Sequence, residues 1–231
     1  YPMLSKLSNE NNKEKFAESV ARSVNSVVLL TIPISVGAIV LAEPVVRIVF
    51  ERGAFSSQAT HMTAIALACY SIGMIGFGLR DILSKVFYSL KDTKTPMING
   101  ALAMIMNIVL NLVFINFLGY AGLAIATSLS AIICIVLLFR SLKKKIGYFG
   151  QDKILVVLVK SLTASGVMGI ITLVSYEFLN KVLGAGLIKD VIALGGAIGI
   201  GGIVYGVLIV LFKIEEINMA IDMIKNRFNR L

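Results

Sequence analysis

Long apolar runs alternate with short polar ones along the whole chain. Residues 23–43, 62–86, 97–117, 122–140, 154–178 and 187–212 are each nearly uncharged over a window of about 18 residues or more. A helix of roughly 20 apolar residues crosses the bilayer core of about 30 Å. In lipid each backbone N–H and C=O must be paired inside the segment, which leaves the helix as the form such runs take. The pattern predicts an all-α fold, a polytopic membrane bundle of six transmembrane helices.

The polar stretches divide the chain. Residues 1–22 read as the end of a preceding helix followed by an amphipathic connector, with Phe16, Val20 and Val24 on one stripe. Residues 23–142 hold four spans, 143–153 form a basic loop, 154–212 hold two more spans, and 213–231 read as an interfacial helix with Ile217, Ile221, Ile224 and Phe228 on one face. Pro33 and Gly37 interrupt the first span and can mark a kink. Ser57 or Thr60 suits the cap of the second span, Gly53 a turn before it, and Pro96 the first position of the third. Gly119-Tyr120-Ala121-Gly122 predicts a tight turn between the third and fourth. Gly195/Gly199 and Gly202/Gly206 have the spacing that lets membrane helices approach closely. The chain begins at Tyr1, and the start reads as a fragment of a longer protein.

Composition agrees with the pattern. Of 231 residues, 57% are hydrophobic and 15% charged, against about 25% charged in a soluble domain. The net charge of +9 could suggest a nucleic-acid partner, but its location excludes one: Lys and Arg cluster in alternate loops. Lys6, Lys13, Lys15, Lys91, Lys94, Lys143, Lys144, Lys145, Lys153 and Lys213 lie on the side of both chain ends, while Arg47, Arg52, Lys181 and Lys189 lie on the other. The positive-inside rule places both ends in the cytoplasm. Cys69 and Cys134 lie inside apolar runs and read as packing residues.

Arg80, Asp81 and Lys85 are expensive inside a span. Arg80 and Asp81 lie about ten residues from the cytoplasmic end of theirs, roughly 15 Å deep. Arg80 is a candidate to line a hydrated path and meet an anionic headgroup. Asp81 and Lys85 stand four residues apart and can instead neutralise each other. Asn107 and Asn111 on the third span face the depth of Thr127 on the fourth. Three uncharged oxygens can hold a hard monovalent cation weakly, and the same groups serve equally to hydrogen-bond two helices together. No Cys/His cluster, Ser–His pair or phosphate-binding glycine loop is present, and the lone His61 reads as exposed. An enzyme is not expected, nor any cofactor beyond such a coupling cation.

Two loop motifs carry a family resemblance. With Phe50-Glu51-Arg52-Gly53-Ala54-Phe55 in the outer loop and Phe87-Tyr88-Ser89-Leu90-Lys91-Asp92-Thr93-Lys94-Thr95-Pro96 in the inner one, the chain resembles the MurJ/MviN lipid II flippases. Pro33 with Gly37, Asn107 with Asn111, and Gly122 to Ser128 add to the match, which covers nearly all of 1–212. The resemblance implies a fourteen-helix transporter of the MOP superfamily in the bacterial plasma membrane, with two pseudosymmetric lobes and two extra C-terminal helices. This chain would supply helices nine to fourteen, and Tyr1–Ser5 would end helix eight. It implies movement of undecaprenyl-pyrophosphate-linked peptidoglycan precursor to the outer leaflet by alternating access around a cationic cavity. The partners implied are lipid II, membrane lipids and the N-terminal lobe of the same protein, without which this portion should not transport. It also implies a cation site at the positions of Asn107, Asn111 and Thr127, where Asn111 replaces an expected acid. Other readings are a carrier for another polyprenyl-linked glycan, a drug/cation antiporter of the same superfamily, or a non-transporting membrane scaffold.

Overall fold

A computed structural model describes residues 13–184, 186–214 and 216–217. These residues form seven helices: α1 (Lys13–Val40), α2 (Ala42–Phe50), α3 (Ser57–Ile72), α4 (Met74–Ser89), α5 (Lys94–Ile146), α6 (Gln151–Leu183) and α7 (Leu187–Leu211). The reading of Tyr1–Ser5 and that of the tail beyond Ile217 lie outside the described residues.

Five stretches are long and apolar enough to cross a membrane. One of them, α5, has 53 residues. A straight helix of that length would reach about 80 Å, far more than a bilayer core. It is folded at Gly119, whose φ of 56° and ψ of −135° only glycine adopts readily. The two arms, 94–118 and 120–146, run back along each other: Asn99 Nδ2 donates to Ser141 Oγ at 3.1 Å across 42 residues of chain. Beyond the turn, Gly122 lies against the backbone of Phe114, where a Cβ has no room. The chain therefore makes six passes, up and down in alternation, as the apolar runs predict.

The second pass is two helices end to end. Gly73 tightens the backbone between α3 and α4, its N–H donating to the Tyr70 carbonyl three residues back. Such a break frees carbonyls that lipid cannot satisfy. Two neighbouring serines satisfy them: Ser128 Oγ donates to the carbonyls of Cys69 (2.7 Å) and Tyr70, and Ser35 Oγ donates to that of Ser71. The break also brings α3 and α4 onto the second arm of α5, with Gly73 on Ser128 and Gly76 on Ala131.

α1 is central. Val20, Val24, Val28 and Ile32 are fully or almost fully buried. One flank meets α4, where Gly78 seats against Val27 and Thr31; another meets α6, where Gly169 seats against Val36. α6 and α7 pair antiparallel, Gly196 against Leu179 and Gly201 against Thr172.

Several local expectations are corrected. The connector through Arg22 and the first span are one helix, continuous from Lys13 through Pro33, because the Phe16–Val20–Val24 stripe continues into the same buried face. The polar segment between the first two spans is helical in part, as α2, which buries Ala42 and Val46 and exposes Glu43 and Arg47. The cap of α3 is Ser56, whose Oγ accepts from the Ala59 N–H at 3.3 Å, and not the expected Ser57 or Thr60. Pro96 is the third residue of α5 rather than its first; an N–H there would lack an intrahelical partner in any case.

Candidate functional site

The Phe87–Pro96 motif is a pair of caps in series. At the end of α4, Lys91 N–H donates to the Tyr88 carbonyl and Asp92 N–H to that of Phe87, a Schellman arrangement with Lys91 at φ 58°. Phe87 and Ser89 are buried beneath it and Tyr88 is exposed. Asp92 then opens α5. Its Oδ1 accepts from the Thr95 N–H at 3.0 Å, and its Oδ2 accepts from the Thr95 hydroxyl at 2.7 Å and from Lys145 Nζ at 2.5 Å. Thr93, the residue before the helix, makes no side-chain cap, and Pro96 is buried. The Lys145 ammonium, then the two Thr95 bonds, hold the Asp92 carboxyl well below the usual carboxylate range. The latch closes the open end of the α5 hairpin.

The Phe50–Phe55 motif is a second capped turn. Gly53 has φ 60°, and Phe55 N–H reaches back to the Arg52 carbonyl at 3.2 Å. The Phe50 and Phe55 rings lie 5.9 Å apart, and Phe55 packs on Ala42, Val46 and Ala64. Arg47 bridges Glu43 (2.9 Å) and Glu51 (3.8 Å) on the exposed side, while Arg52 is exposed. His61 is exposed, 3.8 Å from Glu43.

Between these ends lies a cleft of about 190 Å³ flanked by α4 and both arms of α5. Arg80, Asn107 and Thr127 all line it, together with Ser130, so members of the two clusters that the sequence offered separately share one space. Apolar groups, among them Phe77, Ala103 and Met104, make up its walls. Arg80 is the only charged residue among those lining it. The guanidinium lies 5.8 Å from the Phe77 ring centroid, a cation–π contact, and has no carboxylate partner among the described residues. Asp81 is instead paired with Lys85, whose Nζ donates at 2.6 Å, and both are exposed or half-exposed.

The amides belong to a continuous hydrogen-bond chain across the hairpin. Asn107 Nδ2 donates to Ser130 Oγ (3.2 Å) and Thr127 Oγ1 (3.4 Å), and Asn111 Nδ2 donates to Asn107 Oδ1 (3.1 Å). Thr127 and Ser130 in turn donate to the carbonyls of Leu123 and Thr127. Ser130 was not among the residues that the sequence singled out for the site, although it stands three residues after Thr127 and so on the same face of the helix. Lys145 was missed as the partner of Asp92. The predicted hairpin brings a basic end opposite Asp92, but Lys143, Lys144 and Lys145 all stand there, and only the packing selects Lys145.

Comparison with known proteins bears on all of these features together. A family model described as lipid II flippase MurJ matches residues 1–194. A probable lipid II flippase MurJ of Vibrio cholerae is 33% identical over 214 residues, covering 93% of this chain and 41% of the relative. Lipid II flippase MurJ of Thermosipho africanus is 34% identical over 141 residues, 61% of this chain and 29% of its own. A solved lipid II flippase MurJ in an inward closed conformation superposes with a TM-score of 0.73 at 28% identity, over 93% of this chain and 42% of that one. The chain spans about two fifths of the length of the Vibrio relative and of the solved structure. Both capped motifs, the α5 hairpin and the cleft at Arg80 fall within the matched residues, and the chain belongs to the lipid II flippase MurJ family.

Proposed function

We propose that this chain supplies the C-terminal six crossings of a flippase that moves undecaprenyl-pyrophosphate-linked peptidoglycan precursor from the inner to the outer leaflet of the bacterial plasma membrane. Movement is by alternating access, with both ends of the chain in the cytoplasm. Transport here is non-covalent: the protein offers the charged headgroup a polar path through the membrane and closes it from one side at a time.

The observation that carries this reading is Arg80. A guanidinium with no carboxylate beside it, roughly 15 Å into a span, is stable only where water or an anion reaches it. Its planar fork of donors suits a pyrophosphate oxygen pair. Asn107, Thr127 and Ser130 offer the same cleft hydrogen-bonding groups without charge, able to exchange partners as a headgroup passes. A positive charge in the cleft also disfavours a cation bound at Asn107, Asn111 and Thr127; Asn107 already donates to Thr127 across the two arms, and Asn111 donates to Asn107 on its own arm. Those three then belong to the hairpin, and the anion to Arg80.

The test replaces Arg80 in the full-length gene and asks for rescue of cells depleted of their flippase. Arg80→Ala is expected to abolish rescue at normal membrane abundance, and Arg80→Lys to rescue in part. Full rescue by Arg80→Ala would remove Arg80 from the path. Failure of the unmodified gene, expressed and inserted normally in its own species, would overturn the lipid II assignment.

A further inference from the structure

Arg80 has two ways to lie. The nearer end of its helix is Ser89, nine residues on and about 14 Å away, and a long basic side chain in a span ordinarily stretches toward the nearer water. Here it leans the other way. The guanidinium carbon stands over the Phe77 ring, 5.8 Å from the ring centroid. Phe77 comes three residues earlier on α4, so the charge lies back over the preceding turn, away from Ser89 and toward the middle of the span.

The packing of α4 fixes the ring. Gly76 presses onto Ala131 of the second α5 arm, where a Cβ would stand 2.9 Å from the Ala131 carbonyl carbon, and Gly73 presses in the same way onto Ser128 one turn before. These contacts seat the helix on the hairpin, and Phe77, the residue after Gly76, stands in the wall of the cleft, 38% exposed. A ring face attracts a cation through its quadrupole and takes up none of its hydrogen bonds. No carboxylate among the described residues takes them either. The ring thus holds the guanidinium while leaving its planar fork of donors available.

We infer that Phe77 is a positioning residue for Arg80: its ring keeps the charge in the cleft, with the donor fork left for a phosphate oxygen pair, and opposes its retreat toward Ser89. This role rests on the anion-binding reading of Arg80. An arginine that must be ordered when its ligand arrives spends rotamer entropy on binding, and one already seated spends less. The ring therefore shows in affinity for the anion, and it acts only through Arg80.

The test measures binding of undecaprenyl pyrophosphate to the full-length protein in phospholipid nanodiscs by native mass spectrometry. Phe77→Leu, which keeps an apolar side chain and removes the ring face, is expected to weaken binding about threefold to tenfold. Phe77→Tyr keeps the face and is expected to bind as the native protein does. Arg80→Gln is expected to weaken binding more than Phe77→Leu, and adding Phe77→Leu to it should change nothing further. Phe77→Met, which also lacks a ring face, is measured in parallel and should match Phe77→Leu; melting curves verify that each variant is folded. Native affinity in Phe77→Leu and Phe77→Met, with Arg80→Gln weakened, would overturn the seat and leave the reading of Arg80 standing. An equal loss from Phe77→Leu with and without Arg80 would make Phe77 a wall of the cleft and overturn the seat as well. Native affinity in Arg80→Gln would overturn both.

Discussion

Asp92 and Lys145 close the α5 hairpin, and removing either should loosen it by an amount the contacts allow to be estimated. The Asp92 side chain is 14% exposed and Lys145 39%. Asp92→Ala removes the acceptor that caps the Thr95 N–H, worth about 1 kcal/mol. It also removes a charge-assisted bond of about 1.5 kcal/mol, taken at the low end because Lys145 is partly in water. The expected loss is about 2–3 kcal/mol for Asp92→Ala and about 1 kcal/mol for Asp92→Asn, which keeps the cap. Lys145→Ala should lose about 1 kcal/mol, and the double variant less than the two singles together, by about 1 kcal/mol. Equilibrium unfolding of the full-length protein in mixed micelles measures all four. The carboxyl titrates lower in the folded chain than in the unfolded one, so unfolding takes up a proton at low pH. The contribution is therefore complete above the unfolded value of about 3.9 and declines as pH falls toward the lower folded one. The gap between the native protein and Asp92→Asn should be flat from pH 6 to 8 and narrow below about pH 4. Strict additivity of the single variants, within about 0.3 kcal/mol, would refute the latch.

Three further outcomes follow from the packing. Gly119→Ala forces a side chain into φ 56°, ψ −135° and should lower stability by about 1–3 kcal/mol with reduced membrane abundance, read by quantitative blotting and melting. Tyr205→Phe deletes a hydroxyl that donates to the Leu29 carbonyl at 2.8 Å and meets Ser161 Oγ at 2.9 Å; a loss of about 1–2 kcal/mol on unfolding is expected, and none would show that α7 is held to α1 by shape alone. Lys91→Gly relieves a left-handed lysine at the end of α4 and should raise stability by about 0.5–1 kcal/mol; a fall would assign the Lys91 side chain a role beyond the turn.

The six apolar runs were legible because a bilayer imposes length and composition on each pass independently of its neighbours. The turn at Gly119 and the Asp81–Lys85 pair were legible for a related reason: both are settled within four residues of chain. What was not legible depends on partners brought from afar. Nothing near Gly73 announces the break there, because its freed carbonyls are satisfied by Ser35 and Ser128 on other helices. Ser56, Ser57 and Thr60 all have capping side chains, and only the path of the chain into α3 selects Ser56. Arg80 and Asn107 meet in one cleft because α4 packs on the α5 hairpin, a relation that the spacing between them does not encode.

The placement of α1 has a further consequence. α6 and α7 reach the first four passes chiefly through α1, with α2 touching α7 at one edge. The α3–α4 pass and the two arms of α5 have their own seams at Gly73, Gly76 and Asn99, none of which involves α6 or α7. The last two helices are thus mounted like an outrigger, mainly on one spar. Any rocking of the first four passes must carry them along through α1, and a wedge driven between α1 and α6 at Gly169 would disengage them while leaving the main hull intact.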